Sequence, residues 1–167
     1  MNINSAIREN KYSRLAVIAG MVIILDQIAK IVIVGNMSLY HSVEVIPGCF
    51  DITYILNPGG AFGFLAGQSS YLRLIVFVFL SSLAAGLVFY FYIKTPRSHL
   101  LLSTGFALIF GGALGNMIDR IRFGKVVDFL DFYIGNFHWP AFNIADSAIT
   151  IGMCIFAFHF LLNKMPE

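Results

Sequence analysis

Three aspartates near the end of the chain carry the most chemical promise. Asp128 and Asp131 sit in the apolar stretch KVVDFLDF, and Asp146 opens the still more apolar FNIADSAITIGMCIFAFHFLL. A carboxylate in such surroundings is costly unless it is paired or used. Two carboxylates facing each other in a low dielectric cannot both ionise, so one keeps a proton and the pair titrates as a unit. Such a dyad can attack a peptide bond: one acid takes a proton from water while the other protonates the carbonyl oxygen. Each aspartate also has a plain structural use. Asn143 and Asp146 have the spacing of a helix N-cap and a first-turn acid, and Asp128 and Asp131 each read equally as solvated loop charges. Spacing does not choose between the last two.

Other polar residues pair locally. Asp26 and Lys30 are four apart with the acid first, the favourable order on one helix face. A buried pair of that kind fixes helix register. Asn116 and Arg120 share the spacing, and Asp119 with Arg120 reads as a clamp on the connection that follows. Ser147 has only His41 or His138 as a base on its side, and no G-x-S-x-G is present. The histidines have no metal-ligand spacing with a carboxylate or cysteine, so neither a metal nor a cofactor is expected. Cys49 and Cys154 fall in a polar loop and an apolar run, which argues against a bridge between them.

The elements that must position these groups are membrane helices. Of 167 residues 58% are hydrophobic and 12% charged, about half the charge of a soluble domain. Net charge is +2 with no Lys/Arg run, which excludes a nucleic-acid track. Four apolar runs are long enough to span a bilayer, at residues 15–34, 74–93, 100–118 and 144–162. The first has basic residues before it, as a signal peptide does, but it is long, lacks a small-residue cleavage site and carries Asp26 and Lys30, so it reads as retained. Arg8, Lys11 and Arg14 precede it, Lys94 and Arg97 separate the second and third, and Lys164 follows the fourth. Both termini are therefore expected in the cytoplasm, with Arg120 to Lys125 a local exception beside acidic partners.

Two long connections remain outside. In the first, alternation at Phe50, Ile52, Tyr54 and Leu56 after the turn signal Pro47-Gly48 predicts a small β-element. Asn57 follows, beside the Gly59-Gly60 pair. Gly111 and Gly115 form a G-x-x-x-G, a mark of close helix packing. Trp139 reads as an interface anchor. No repeat or linker appears, so residues 1–167 are expected to form one domain. In this topology Asp26, Lys30, Asn116, Asp119, Arg120, Asp128, Asp131, Asn143 and Asp146 all fall in or near the outer leaflet. A proton-coupled transporter would need polar groups spaced through both leaflets, and a purely structural subunit has no use for the cluster.

Five segments, DQIAK (26–30), NPGGAFGF (57–64), GGALGNMIDR (111–120), VVDFLDF (127–133) and FNIADSAIT (142–150), resemble in order the motifs of bacterial lipoprotein signal peptidases, that is, signal peptidase II. Pro58 and Gly60 stand where that family more often has Thr and Ala. The resemblance implies an all-α membrane protein of four transmembrane helices with a small extracytoplasmic β-element (β-cradle), in the bacterial cytoplasmic (inner) membrane. It implies an aspartic endopeptidase whose dyad is Asp128 and Asp146, selecting Asp128 over Asp131. Asp26, Lys30, Asn57, Gly59, Asn116, Asp119, Arg120 and Asn143 would support the site or contact substrate and inhibitor. The implied partners are membrane lipid and a prolipoprotein substrate carrying diacylglyceryl-cysteine, cut just before that cysteine. The implied inhibitor is globomycin.

Overall fold

The structure, a computed structural model, describes residues 11–59, 69–162 and 164. Four helices, α1 (Lys11–Asn36), α2 (Ser70–Lys94), α3 (Leu100–Phe123) and α4 (Ile144–Leu161), are each long and apolar enough to cross a membrane. Two strands, β1 (Ser42–Ile46) and β2 (Phe50–Asn57), join α1 to α2, and two more, β3 (Val126–Ile134) and β4 (Phe137–His138), join α3 to α4. The four strands therefore gather at one end of the bundle, as one antiparallel sheet in the order β1-β2-β3-β4.

The first three helices overrun the expected spans, and the fourth ends at Leu161, one residue short of its own. The third continues through Phe123, which places Asp119 and Arg120 inside the helix and not in a following connection. It stops at Gly124, whose φ of 68° is the left-handed C-terminal conformation that glycine adopts without a Cβ penalty. The fourth starts at Asn143, whose side chain accepts from the Asp146 amide while the Asp146 side chain accepts from the Asn143 amide, a reciprocal capping box.

Buried residues on α1, Arg14, Leu15, Ala19, Val22, Asp26 and Lys30, recur every three or four positions and form one stripe. Its other faces expose Met21, Ile24, Leu25, Ile28 and Ile31, as a lipid-facing helix does. Helix α3 is the hub and packs against the other three. Small residues permit that approach. A Cβ on Gly111 would lie 2.8 Å from Ala19 Cα, so the first glycine of the G-x-x-x-G seats α1 against α3. Away from the sheet, Leu15, Tyr92, Leu102 and Phe106 close the core, and the buried Tyr92 hydroxyl donates to the Lys11 carbonyl at 2.5 Å.

The β-element is larger than the alternation in residues 50–56 suggested. The KVVDFLDF stretch forms strand β3, which corrects the loop reading of its aspartates. Val126, Val127, Asp128 and Phe129 are all buried, so this half of the strand has no polar face and shows no period of two. Asp131 lies opposite Asp51 and Asp128 opposite Ile55, with the register shifting between Ile52 and Ile55. Asp128 and Asp131 thus sit three apart on an alternating strand and point to opposite faces.

Candidate active site

Asp128 enters the site from β3 and Asp146 from the first turn of α4. Two asparagines tie them together. Asn143, fully buried, donates through Nδ2 to Asp128 Oδ1 at 2.7 Å, to Asn116 Oδ1 at 3.1 Å and to the Val127 carbonyl at 3.2 Å. Its backbone N–H donates to Asp146 Oδ2 at 3.3 Å. Asn116, on α3, donates through Nδ2 to Asp146 Oδ1 at 2.7 Å. The Asn116 carbonyl oxygen accepts from both Lys30 Nζ and Asn143 Nδ2, each at 3.1 Å, and this fixes which way the amide points. Asn57 completes the set, donating to Asp128 Oδ2 at 3.1 Å.

Beneath these two carboxylates lies a second, buried layer. Lys30 Nζ contacts Asp119 Oδ2 at 2.7 Å, Asp26 Oδ2 at 2.8 Å and Asn116 Oδ1, three acceptors for three hydrogens. Asp26 Oδ1 accepts from the Ala145 amide at 3.0 Å, and Asp119 Oδ2 accepts from the Val127 amide at 3.1 Å. The carboxylates of α1 and α3 therefore hold the start of α4 and the start of β3, the two segments that carry Asp146 and Asp128. Asp26 and Lys30 are paired along α1, and both also reach partners on other elements.

Asp128 is 3% exposed. Burial, and secondarily the charge of Asp146, push its carboxyl up to about 7, against the opposing hydrogen bonds from Asn57 and Asn143 and the charge of Lys30. Near neutral pH Asp128 can then hold a proton beside Asp146, the state a water-activating pair of carboxyls requires. Both carboxylates open onto a cavity of about 960 Å³, also lined by Asn57, Trp139, Phe142 and Ser147. Its walls are mainly aromatic and aliphatic, suited to an apolar peptide with a polar reacting centre.

The remaining expected site residues are placed as follows. Gly59 donates its N–H to Asn57 Oδ1 at 3.1 Å and so orients Asn57; residues 60–64 of the same motif lie outside the described residues. Arg120 is half-buried, donates to the Asn116 main-chain carbonyl at 3.2 Å and lies 5.4 Å over the Phe77 ring, so its clamp is on α3 and α2. Asp131 is held apart, 3.0 Å from His138 Nδ1. Ser147 donates to the Asn143 carbonyl at 2.9 Å, and among the described residues no hydrogen bond joins it to a histidine. Gln27 was not foreseen. It contacts Asp119 at 2.8 Å, and the only sequence signal was an amide in an apolar helix directly after Asp26.

Comparison with known proteins bears on the family and the fold. Residues 18–162 match the family described as signal peptidase (SPase) II. The chain is 52% identical over 154 residues to a lipoprotein signal peptidase of Desulforapulum autotrophicum, covering 92% of this chain and 95% of that protein. It is 48% identical over 142 residues to one of Geobacter sulfurreducens, covering 85% and 87%. A bacterial membrane enzyme solved by the in meso method at 2.3 Å superposes with a TM-score of 0.80 at 38% identity, over 91% of this chain and 90% of that one.

Proposed function

Because the chain belongs to the signal peptidase II family, we propose that Asp128 and Asp146 are the catalytic dyad with which it removes signal peptides from prolipoproteins. It is a multi-pass membrane aspartic peptidase. The observation that carries the dyad assignment is that these two carboxylates open on one cavity and are linked through Asn116 and Asn143. Asp131, the rival, points to the other face of β3 and is engaged by His138.

The reaction follows from a dyad holding one proton. The ionised carboxylate takes a proton from water, and the oxygen of that water bonds to the scissile carbonyl carbon. The protonated carboxyl gives its hydrogen to the carbonyl oxygen. Collapse of the resulting diol transfers a proton to the amide nitrogen, breaks the C–N bond and releases acid and amine. Asn57 and Asn143 hold Asp128, and Asn116 holds Asp146, so neither carboxylate rotates away between steps.

The substrate we infer is a prolipoprotein with diacylglyceryl-cysteine, cut just before that residue. The site lies where the sheet meets the helix ends, so lipid chains can stay in hydrocarbon while water reaches the dyad from the sheet side. The same cavity is where a globomycin-type cyclic peptide would compete. Lys94 and Arg97 lie at the end opposite the sheet, which favours cytoplasmic termini and a site toward the outer leaflet of the inner membrane. The full chain, 1–167, then acts as one integral membrane peptidase domain.

The test is cleavage of a diacylglyceryl-modified prolipoprotein by purified protein in lipid, with and without globomycin. Asp128→Asn and Asp146→Asn should each lower turnover at least a hundredfold, while Asp131→Asn stays within about threefold, all with retained folding. Substantial turnover by either of the first two would remove the dyad.

A further inference from the structure

We propose that Gln27 is a positioning residue for Asp128, acting through Asp119; the inference rests on the dyad assignment above. Gln27 Nε2 donates to Asp119 Oδ1 at 2.8 Å and lies 3.3 Å from both Asp26 Oδ2 and the Gly115 carbonyl. Gln27 Oε1 accepts from Arg122 Nη1 at 3.4 Å. The amide orientation is therefore determined: the nitrogen faces three acceptors and the oxygen faces a cation, and a flip would reverse every contact.

The consequence lies in how Asp119 is used. Its Oδ2 already serves Lys30 and the Val127 amide. Oδ1 is buried, and Gln27 is its hydrogen-bond donor. Without that donor the carboxylate gains by turning until Lys30 bridges both oxygens, and the turn releases the Val127 N–H. Val127 immediately precedes Asp128, and its carbonyl is the one Asn143 holds. Both backbone groups of Val127 are thus anchored, one by Asp119 and one by Asn143, and Gln27 sets the geometry of the first anchor. Gln27 does not line the cavity, so its effect reaches the reaction by way of the carboxylate's position.

Gln27→Leu keeps the approximate shape and removes the donor. Gln27→Glu keeps the shape and the acceptor toward Arg122, but sets a carboxylate against Asp119 and Asp26. Both should lower kcat about tenfold or more with KM within twofold, since an ångström of misplacement can cost up to a hundredfold. Thermal midpoint in detergent is measured beside the kinetics. Turnover by both variants within twofold of wild type would sink the inference. So would a raised KM at unchanged kcat, which indicates a substrate contact, or an activity loss that follows the folded fraction. Asp128→Asn is run in parallel: if it is inactive while the Gln27 variants are normal, only this inference falls, and if it is active, both readings fall.

Discussion

Asn57 reaches Asp128 across the β2–β3 pair, donating from Nδ2 to Asp128 Oδ2 at 3.1 Å. The bond stabilises the ionised carboxylate and so pulls down a carboxyl that burial and Asp146 push up to about 7. The proposed dyad works while it holds one proton, so activity should fall on the alkaline side as pH rises through about 7. Removing Asn57 removes a hydrogen bond that lowers the carboxyl's affinity for its proton. Asn57→Ala should therefore move the alkaline limb of kcat/KM to higher pH, by about one unit, with a lower plateau. A limb that stays put or moves down would separate Asn57 from Asp128 titration.

The helices and the clustering of polar groups were legible in the sequence, because four apolar runs in succession bring both long connections to one end of the bundle. It left the choice between Asp128 and Asp131 to the family motif. That choice depends on strand register, and a strand buried on both faces at Val126 to Phe129 gives no alternation to read. The capping box was legible from the spacing of Asn143 and Asp146, and it proved compatible with a chemical role: one Asp146 oxygen caps and the other faces Asn116. The Asp26–Lys30 pair was legible, but that Lys30 and Gln27 also meet Asn116 and Asp119 was not, since those partners lie some 90 positions away on α3.

Lys30 should be intolerant of any replacement. Its ammonium meets two buried carboxylates and an amide oxygen, and losing it strands both charges. Breaking a buried pair costs about 3–5 kcal/mol. Lys30→Met should lower the thermal midpoint in detergent steeply, and Lys30→Arg should also fail, because a planar fork does not match three acceptors around a tetrahedral group. Asp26→Asn combined with Lys30→Met should recover part of the loss, since the amide oxygen still accepts from Ala145 N–H. A strictly additive double mutant would show that the two residues are not coupled.

Gly124 carries a purely conformational demand. Nothing lies within 4 Å of a Cβ placed there, yet φ is +68°. Gly124→Ala should cost about 1 kcal/mol, visible as a modest drop in thermal midpoint with folding retained. The Gly124 amide donates to the Arg120 carbonyl at 2.8 Å, and this turn delivers the chain into β3 two residues before Asp128 is reached through Val126 and Val127. A lower kcat at full folding would show that the turn angle also sets the dyad.

Gly112 tests the helix contact on which the dyad is mounted. A Cβ there would stand 2.4 Å from the Ala145 carbonyl oxygen and 2.7 Å from Ile149 Cγ1, and the first of these is backbone that cannot rotate aside. Gly112→Ala must therefore push α4 away from α3. Overpacking of this kind costs about 1–3 kcal/mol, and here the displaced backbone carries both the Ala145 amide held by Asp26 and Asp146 itself. Turnover should fall at least tenfold, more than the stability loss alone explains, because a displaced Asp146 lengthens its 2.7 Å bond from Asn116. Gly20→Ala is the control: it lies in α1 with nothing within 4 Å of its added methyl, and it should leave both midpoint and turnover unchanged. Equal behaviour of the two variants would mean that α3 and α4 do not pack as closely as this contact requires.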